Sequence, residues 1–240
     1  MRPRQFRSRP LIVPRRAFAT ALSLAGLAAL VLFARHDLIG HAMAEDGMAQ
    51  DRMAQNELAA LAAKPGSLPD RALGPAKAPV TIIEYASMSC PHCAAFDENV
   101  FPMLRSKYID TGKVHFVFRE FPLDVRAAAA SMLARCIAGT DAGKYFDAVD
   151  ALFKAQEQLM ANTKDTLLQI GRQQSAMSEE ALEACEKDQA LLDKIKDDEN
   201  FAFEKLKVDA TPTFFVNGEM LKGAMSFEEI DAKIKSRLKR

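Results

Sequence analysis

A chain of 240 residues with 49% hydrophobic residues and 32 basic against 32 acidic side chains can bury a core and is not compositionally disordered. The balance is uneven, because seven arginines and one acid, Asp37, fall within residues 1–44, and the remainder carries 25 basic and 31 acidic residues, a net charge of −6. This argues against a nucleic-acid binder, since no basic patch remains that could neutralise a run of phosphates.

At the N-terminus, Arg2, Arg4, Arg7, Arg9, Arg15 and Arg16 precede an uncharged, mostly apolar run over 17–34, and Ala42-Met43-Ala44 offers small residues for a cut before Glu45. Residues 1–44 thus have the layout of an export signal. An uncleaved membrane anchor is the competing reading, because 18 helical residues span about 27 Å. Arg15-Arg16-Ala17-Phe18 also fits a twin-arginine signal. Either way the positive flank stays on the cytoplasmic side and the rest is exported, to where disulfides can persist.

Residues 45–78 are polar and alanine-rich, broken by Pro65, Gly66, Pro69, Gly74 and Pro75, and read as a tether with room for one short helix before Lys64. The run VTIIEYA, Val80 to Ala86, is apolar on both faces, as in a strand covered on both sides. A helix follows in which Phe96, Val100, Met103, Leu104 and Tyr108 recur at helical spacing, with a kink at Pro102. Val114, Phe116 and Phe118 mark a second strand after Gly112. From 124 to 207 the pattern is helical, with breaks at Gly139, Gly143, Asn162 and Ser178. Thr213 to Val216 and Glu219 to Lys222 flank Asn217-Gly218, a hairpin signal, and Ser226 with Glu229 forms a capping box for a last helix. The order is strand, Cys-x-x-Cys helix, strand, helical insert, hairpin, helix. This α/β order is compatible with a thioredoxin-like sheet, with 79–123 and 208–240 as the two parts of that domain and 124–207 as an inserted helical subdomain.

Two of the four cysteines lie in Cys90-Pro91-His92-Cys93. A cysteine at a helix start faces unpaired N–H groups and the positive end of the dipole, which favour the thiolate that nucleophilic sulfur chemistry needs. Pro91 fits the first turn without losing a useful donor, and the N–H groups of His92 and Cys93 can aim at the Cys90 sulfur. The His92 imidazole is a second expected stabiliser, by hydrogen bond or charge. A low Cys90 pKa makes this sulfur a good leaving group and its disulfide with Cys93 oxidising. The competing reading, half of a zinc site, needs about four ligands. Cys136 and Cys185 are isolated in helical sequence and His115 lies on a strand, so no metal is expected and His115 is read as structural.

These residues, VTIIEYASMS followed by CPHC, a kinked helix, and VDATPTFFVNG with its Thr-Pro pair 122 residues after Cys90, resemble the DsbA-like periplasmic thiol:disulfide oxidoreductases. The similarity runs from about Gly74 to the C-terminus. It implies that Pro212 is cis and lies against the cysteine pair, and that the Thr211 backbone takes main-chain contacts from a bound substrate peptide. It also implies that Glu84, six residues before Cys90, moves a proton to or from Cys93 through water; an ordinary edge-exposed glutamate is the alternative. Some members of the family carry a second disulfide, which here would pair Cys136 with Cys185; two buried inert thiols are the other possibility.

The function this implies is donation of the Cys90–Cys93 disulfide to reduced or unfolded exported clients, with re-oxidation by a DsbB-like membrane partner and no cofactor. The same fold would also serve a disulfide isomerase or reductase, oligomerised through 45–64, where Met48, Leu58 and Leu61 form a weak apolar stripe. A third reading, from another class, is a chaperone-like binding module with structural cysteines.

Overall fold

The computed structural model describes residues 52–239. The export segment 1–44 and Met48 lie outside the described residues, and among those described no helix is long and apolar enough to cross a membrane.

A five-stranded sheet is ordered β1-β3-β2-β4-β5: β1 Arg71–Leu73, β2 Val80–Ala86, β3 Val114–Glu120, β4 Thr213–Val216 and β5 Glu219–Lys222. β2 and β3 are parallel and the other pairs antiparallel, so β2 is the central strand, bonded on both sides. Helix α1 covers 52–62. Then come α2 Pro91–Asn99, α3 Phe101–Leu104, α4 Val125–Ala138, α5 Ala142–Lys154, α6 Gln156–Ala161, α7 Thr163–Ser175, α8 Glu179–Glu186, α9 Gln189–Leu206 and α10 Phe227–Leu238.

Alternation along the strands divides the core. Val80, Ile82, Phe116, Phe118, Phe214 and Val216 face α2, α4, α5 and α10 in one cluster, whereas Ile83, Tyr85, Val117 and Phe215 meet Ala62 of α1 and Ala202 and Leu206 of α9 in another. Each fully buried aromatic or aliphatic side chain contributes about 1.5–3 kcal/mol. Phe96 of α2 packs on Phe214 of β4 at 4.7 Å between ring centres, which fixes the cysteine helix over the sheet.

Local chemistry sets the helix limits. Asp124 accepts from the N–H groups of Arg126 and Ala127, Asp141 from Lys144, Ser178 from Ala181 and Asp188 from Leu191, while Ser226 and Glu229 form a reciprocal capping box. The cysteine helix breaks at Val100 (φ −116°), ahead of Pro102, and resumes as α3 and a π-helical turn over Arg105–Ile109. Asn217 and Gly218 have φ of 46° and 85° in the β4–β5 turn. Glycine is needed at 218 for space as well, since a Cβ there would collide with Ala59 of α1.

Three expectations need correction. The tether over 45–78 is, where described, part of the fold: α1 caps one face of the sheet and β1 pairs with β3. Arg119 holds this segment, donating to Ala62 O and Lys64 O at 2.9 Å and to Asp70 at 2.8 and 3.0 Å. Arg135 adds a bond to Pro69 O, and Asp198 takes the N–H groups of Ser67 and Leu68. Polar clamps of this kind leave no hydropathy signal, and a three-residue strand is too short to show a period. Second, Gly143 does not break a helix; it lies in the first turn of α5, and the break is at Gly139 to Asp141. Third, the end of α9 covers the sheet instead of belonging to a separate helical body.

Candidate active site

The loop after the central strand delivers Cys90 to the N-cap of α2, with extended backbone (φ −86°, ψ 116°) and Pro91 at the first helical position. The Cys90 N–H donates to Ser87 O at 3.0 Å, and Cys90 O accepts from the N–H groups of Cys93 and Ala94 at 3.1 and 3.2 Å. Cys90 and Cys93 are free thiols, both buried. From the far end of the chain, the Thr211–Pro212 peptide bond is cis, and the Cys90 thiol donates to Thr211 O at 3.3 Å. The Thr211 hydroxyl is buried and makes no hydrogen bond among the described residues.

The two sulfurs are chemically unequal. The Cys90 thiol is lowered to about 5, chiefly by a hydrogen bond from Cys93, then by Thr211 and the main-chain N–H groups of Cys93 and His92, against the opposing effect of burial. Cys93 is pushed far upward by burial, by its bond to Cys90 and by the charges of Glu84 and Cys90. At neutral pH one sulfur is therefore an anion while its neighbour keeps a proton.

Glu84 is 3% exposed on the central strand, opposite Phe118 and Phe214, which removes the edge-exposed alternative. Burial, followed by the charges of Asp97 and Cys90, raises its pKa well above the carboxylate range. Asp97 stands one helical turn beyond Cys93 on α2 and is raised to about 7 by burial and by Asp150, with Lys154 opposing. His92 is exposed, and its ring makes no hydrogen bond to Cys90 among the described residues. The stabilisation expected from the imidazole comes from its main-chain N–H. His115 lies on β3 with Nδ1 3.2 Å from Gly74 O, a structural contact.

Sequence reading missed two polar side chains beside the cysteines. The Ser87 hydroxyl accepts from the Leu123 N–H at 3.2 Å, tying the cysteine loop to the segment before α4. Gln156, at the start of α6, donates to Met88 O and Cys90 O at 2.9 and 3.0 Å. A serine in a loop and a glutamine in a helical block carry no local signal of such contacts. Leu123 and Val125, in the segment joined to Ser87, are exposed at 54% and 83%. Away from the site, Cys136 of α4 and Cys185 of α8 form a disulfide, with an S–S distance of 2.00 Å and a Cα–Cα distance of 6.3 Å.

A thioredoxin-like sheet with a Cys-x-x-Cys pair at a helix start, faced by a cis-proline loop, defines the class of the thiol:disulfide oxidoreductases. The family model described as Thioredoxin matches residues 67–236, and the chain belongs to that family, among its DsbA-like members. It is 37% identical to Wolbachia pipientis alpha-DsbA1, with a TM-score of 0.65 over 70% of this chain and 91% of that one. Bacillus subtilis BdbD, in its oxidised form, matches at 25% identity and a TM-score of 0.64, over 71% of this chain and 94% of the other. A Rickettsia bellii protein named as a protein-disulfide oxidoreductase is 34% identical over 151 residues, 62% of this chain and 57% of its own. The chain thus spans a little over half the length of that relative.

Proposed function

We propose that the chain is an exported dithiol oxidant that donates the Cys90–Cys93 disulfide to client proteins. The observation that carries this reading is the stabilised Cys90 anion, at about 5, beside a Cys93 that holds its proton. A thiolate more stable than usual favours the reduced enzyme and makes its disulfide a strong electron acceptor.

A client thiolate attacks Cys90 Sγ, the Cys90–Cys93 bond breaks, and Cys93 departs with the electron pair. Cys93 is too basic to remain a thiolate at neutral pH, and Glu84, whose burial makes its carboxyl hold a proton more tightly than an ordinary glutamate, is the group that supplies one through water. The second client thiol, once deprotonated, attacks the client sulfur of the mixed disulfide, a client disulfide forms, and Cys90 leaves as the stabilised thiolate. Two electrons pass from client to enzyme, and a DsbB-like membrane protein removes them again. The cis-Pro212 loop, with Thr211 O beside Cys90, supports docking of the client main chain there, and exposed Pro91, Leu123 and Val125 offer apolar contact. The apolar stripe proposed for an isomerase stalk loses support, because Leu58 and Leu61 pack against the sheet-side cluster.

The test mixes oxidised enzyme with a peptide carrying two reduced cysteines, alongside an insulin-reduction assay. One peptide disulfide should form per enzyme disulfide consumed. An enzyme that reduces insulin well and leaves the peptide reduced would defeat the proposal. Glu84→Gln should slow the step that releases Cys93 and alter its pH profile; unchanged kinetics across pH would remove Glu84 from the mechanism.

A further inference from the structure

We infer that Gln156 is a positioning residue, through which the helical block holds the main-chain carbonyls of Met88 and Cys90 clear of the reacting sulfur. Its side-chain nitrogen donates to Met88 O at 2.9 Å and to Cys90 O at 3.0 Å. Both partners are carbonyl oxygens, which only accept, so the amide must present its nitrogen here and spends both of its N–H groups on the loop. Gln156 opens α6 directly after Ala155 (φ −96°, ψ 15°), where α5 ends. α5 is itself fixed, with Tyr145, Phe146, Leu152 and Phe153 buried. A rigid element thus reaches from 66 residues along the chain to the loop that carries the nucleophile.

The reason this matters is electrostatic. Cys90 O already accepts from the N–H groups of Cys93 and Ala94, so the first turn of α2 hangs from it. A carbonyl dipole turned toward Sγ would oppose a negative charge there, whereas the N–H groups of His92 and Cys93 favour it. Drawing the two carbonyls toward Gln156 satisfies them and keeps the donors, instead of the acceptors, facing the sulfur. Without the amide, Met88 O loses this donor and Cys90 O is left with the two helical N–H groups alone, beside a buried thiol. The charged neighbours of this junction are Asp97 and Glu98 on α2, Asp150 and Lys154 on α5, Glu157 on α6 and Glu84 on β2, and a neutral substitution leaves all of them in place.

The inference rests on Cys90 as the nucleophile, and the experiment separates the two ideas. Thiolate absorbance of the reduced full chain is titrated against pH for wild type, Gln156→Met and Gln156→Glu, with the exposed Gln158→Met as control. Because Cys93 keeps its proton far above neutrality, the acid-range signal reads Cys90 alone. The wild-type midpoint reports on the functional reading, and the displacement on substitution reports on Gln156. Loss of two hydrogen bonds from the loop should raise the midpoint by about 0.5–1 unit in Gln156→Met, a roughly two- to sixfold loss of thiolate at pH 5. Gln156→Glu should raise it further, since a carboxylate cannot donate to either carbonyl. The glutathione equilibrium at pH 7 should move toward the less oxidising side by about three- to tenfold, and Gln158→Met should leave both readouts alone. Midpoints within about 0.2 units of wild type in Gln156→Met would overturn the inference, whether or not melting temperatures fall, and so would a shift confined to Gln156→Glu.

Discussion

Reducing the Cys90–Cys93 bond should stabilise the fold at neutral pH and lose that advantage near pH 5. In the folded reduced chain Cys90 titrates at about 5, against 9.0 for an unperturbed thiol. A depressed folded pKa contributes stability above the unfolded value, and the contribution is lost as pH falls through the folded value. Between pH 8 and pH 5 each unit is worth at most about 1.36 kcal/mol, so the ceiling at pH 7 is about 2.7 kcal/mol. Solvent screening at the helix start brings this to roughly half, about 1.4 kcal/mol. Asp97 and Glu84 act with the opposite sign, because their raised pKa values cost stability as pH rises and they ionise. They are present in both redox forms, so the quantity to follow is the difference between reduced and oxidised protein. Guanidinium unfolding of each form at pH 5, 6, 7 and 8 gives that difference directly. The reduced form should gain about 2 kcal/mol over the oxidised form between pH 5 and pH 8. A difference that stays flat over this range, or shrinks as pH rises, would mean that no Cys90 anion stabilises the reduced fold.

Other consequences follow from individual contacts. Cys93→Ala removes the largest contribution to the Cys90 anion and should raise its midpoint by about 1–2 units, whereas Cys93→Ser, which keeps a donor, should stay near wild type; equal midpoints for the two variants would place the stabilisation in the backbone instead. Glu120 is buried and accepts from Arg135 at 2.5 and 2.7 Å and from Tyr145 at 2.6 Å, so Arg135→Met should cost about 3–5 kcal/mol in denaturant unfolding, and a loss below about 1 kcal/mol would mean that the carboxylate finds another partner. The Cys136–Cys185 bridge spans 49 residues, for which chain entropy gives about 4 kcal/mol, so the Cys136→Ser, Cys185→Ser double variant should unfold at correspondingly lower denaturant while the Cys90 midpoint stays in place. Proteolytic cleavage between α4 and α8 should leave fragments that separate only after reduction; fragments that separate without reductant would contradict the bridge.

The strands and the hairpin were legible because their signals are local. VTIIEYA and VHFVFRE have the apolar density of strands with two covered faces, and Asn217-Gly218 sits at two positive φ angles that most residues avoid. The position of Cys90 at a helix start was legible for the same reason, since Pro91 belongs in a first helical turn. What escaped depends on contacts distant in sequence. The fold of residues 52–78 rests on Arg119, Arg135 and Asp198, each more than 45 positions away from the backbone it holds. Gln156 reaches the cysteine loop only because α5 and α6 return to it, and nothing in its neighbours distinguishes it from other helical glutamines. The pairing of Cys136 with Cys185 likewise has no local signature, and the cis state of Pro212 was suggested only by the resemblance.

On the proposed function, the Cys90–Cys93 pair prefers the reduced state because one of its sulfurs is a stable anion. Equilibration of the full chain with defined mixtures of reduced and oxidised glutathione, followed by alkylation and counting of the two thiols, measures that preference as a reduction potential. The expected value lies at the oxidising end of the range for this fold, above about −180 mV. A value near about −270 mV, where a reductant of the same fold lies, would contradict it.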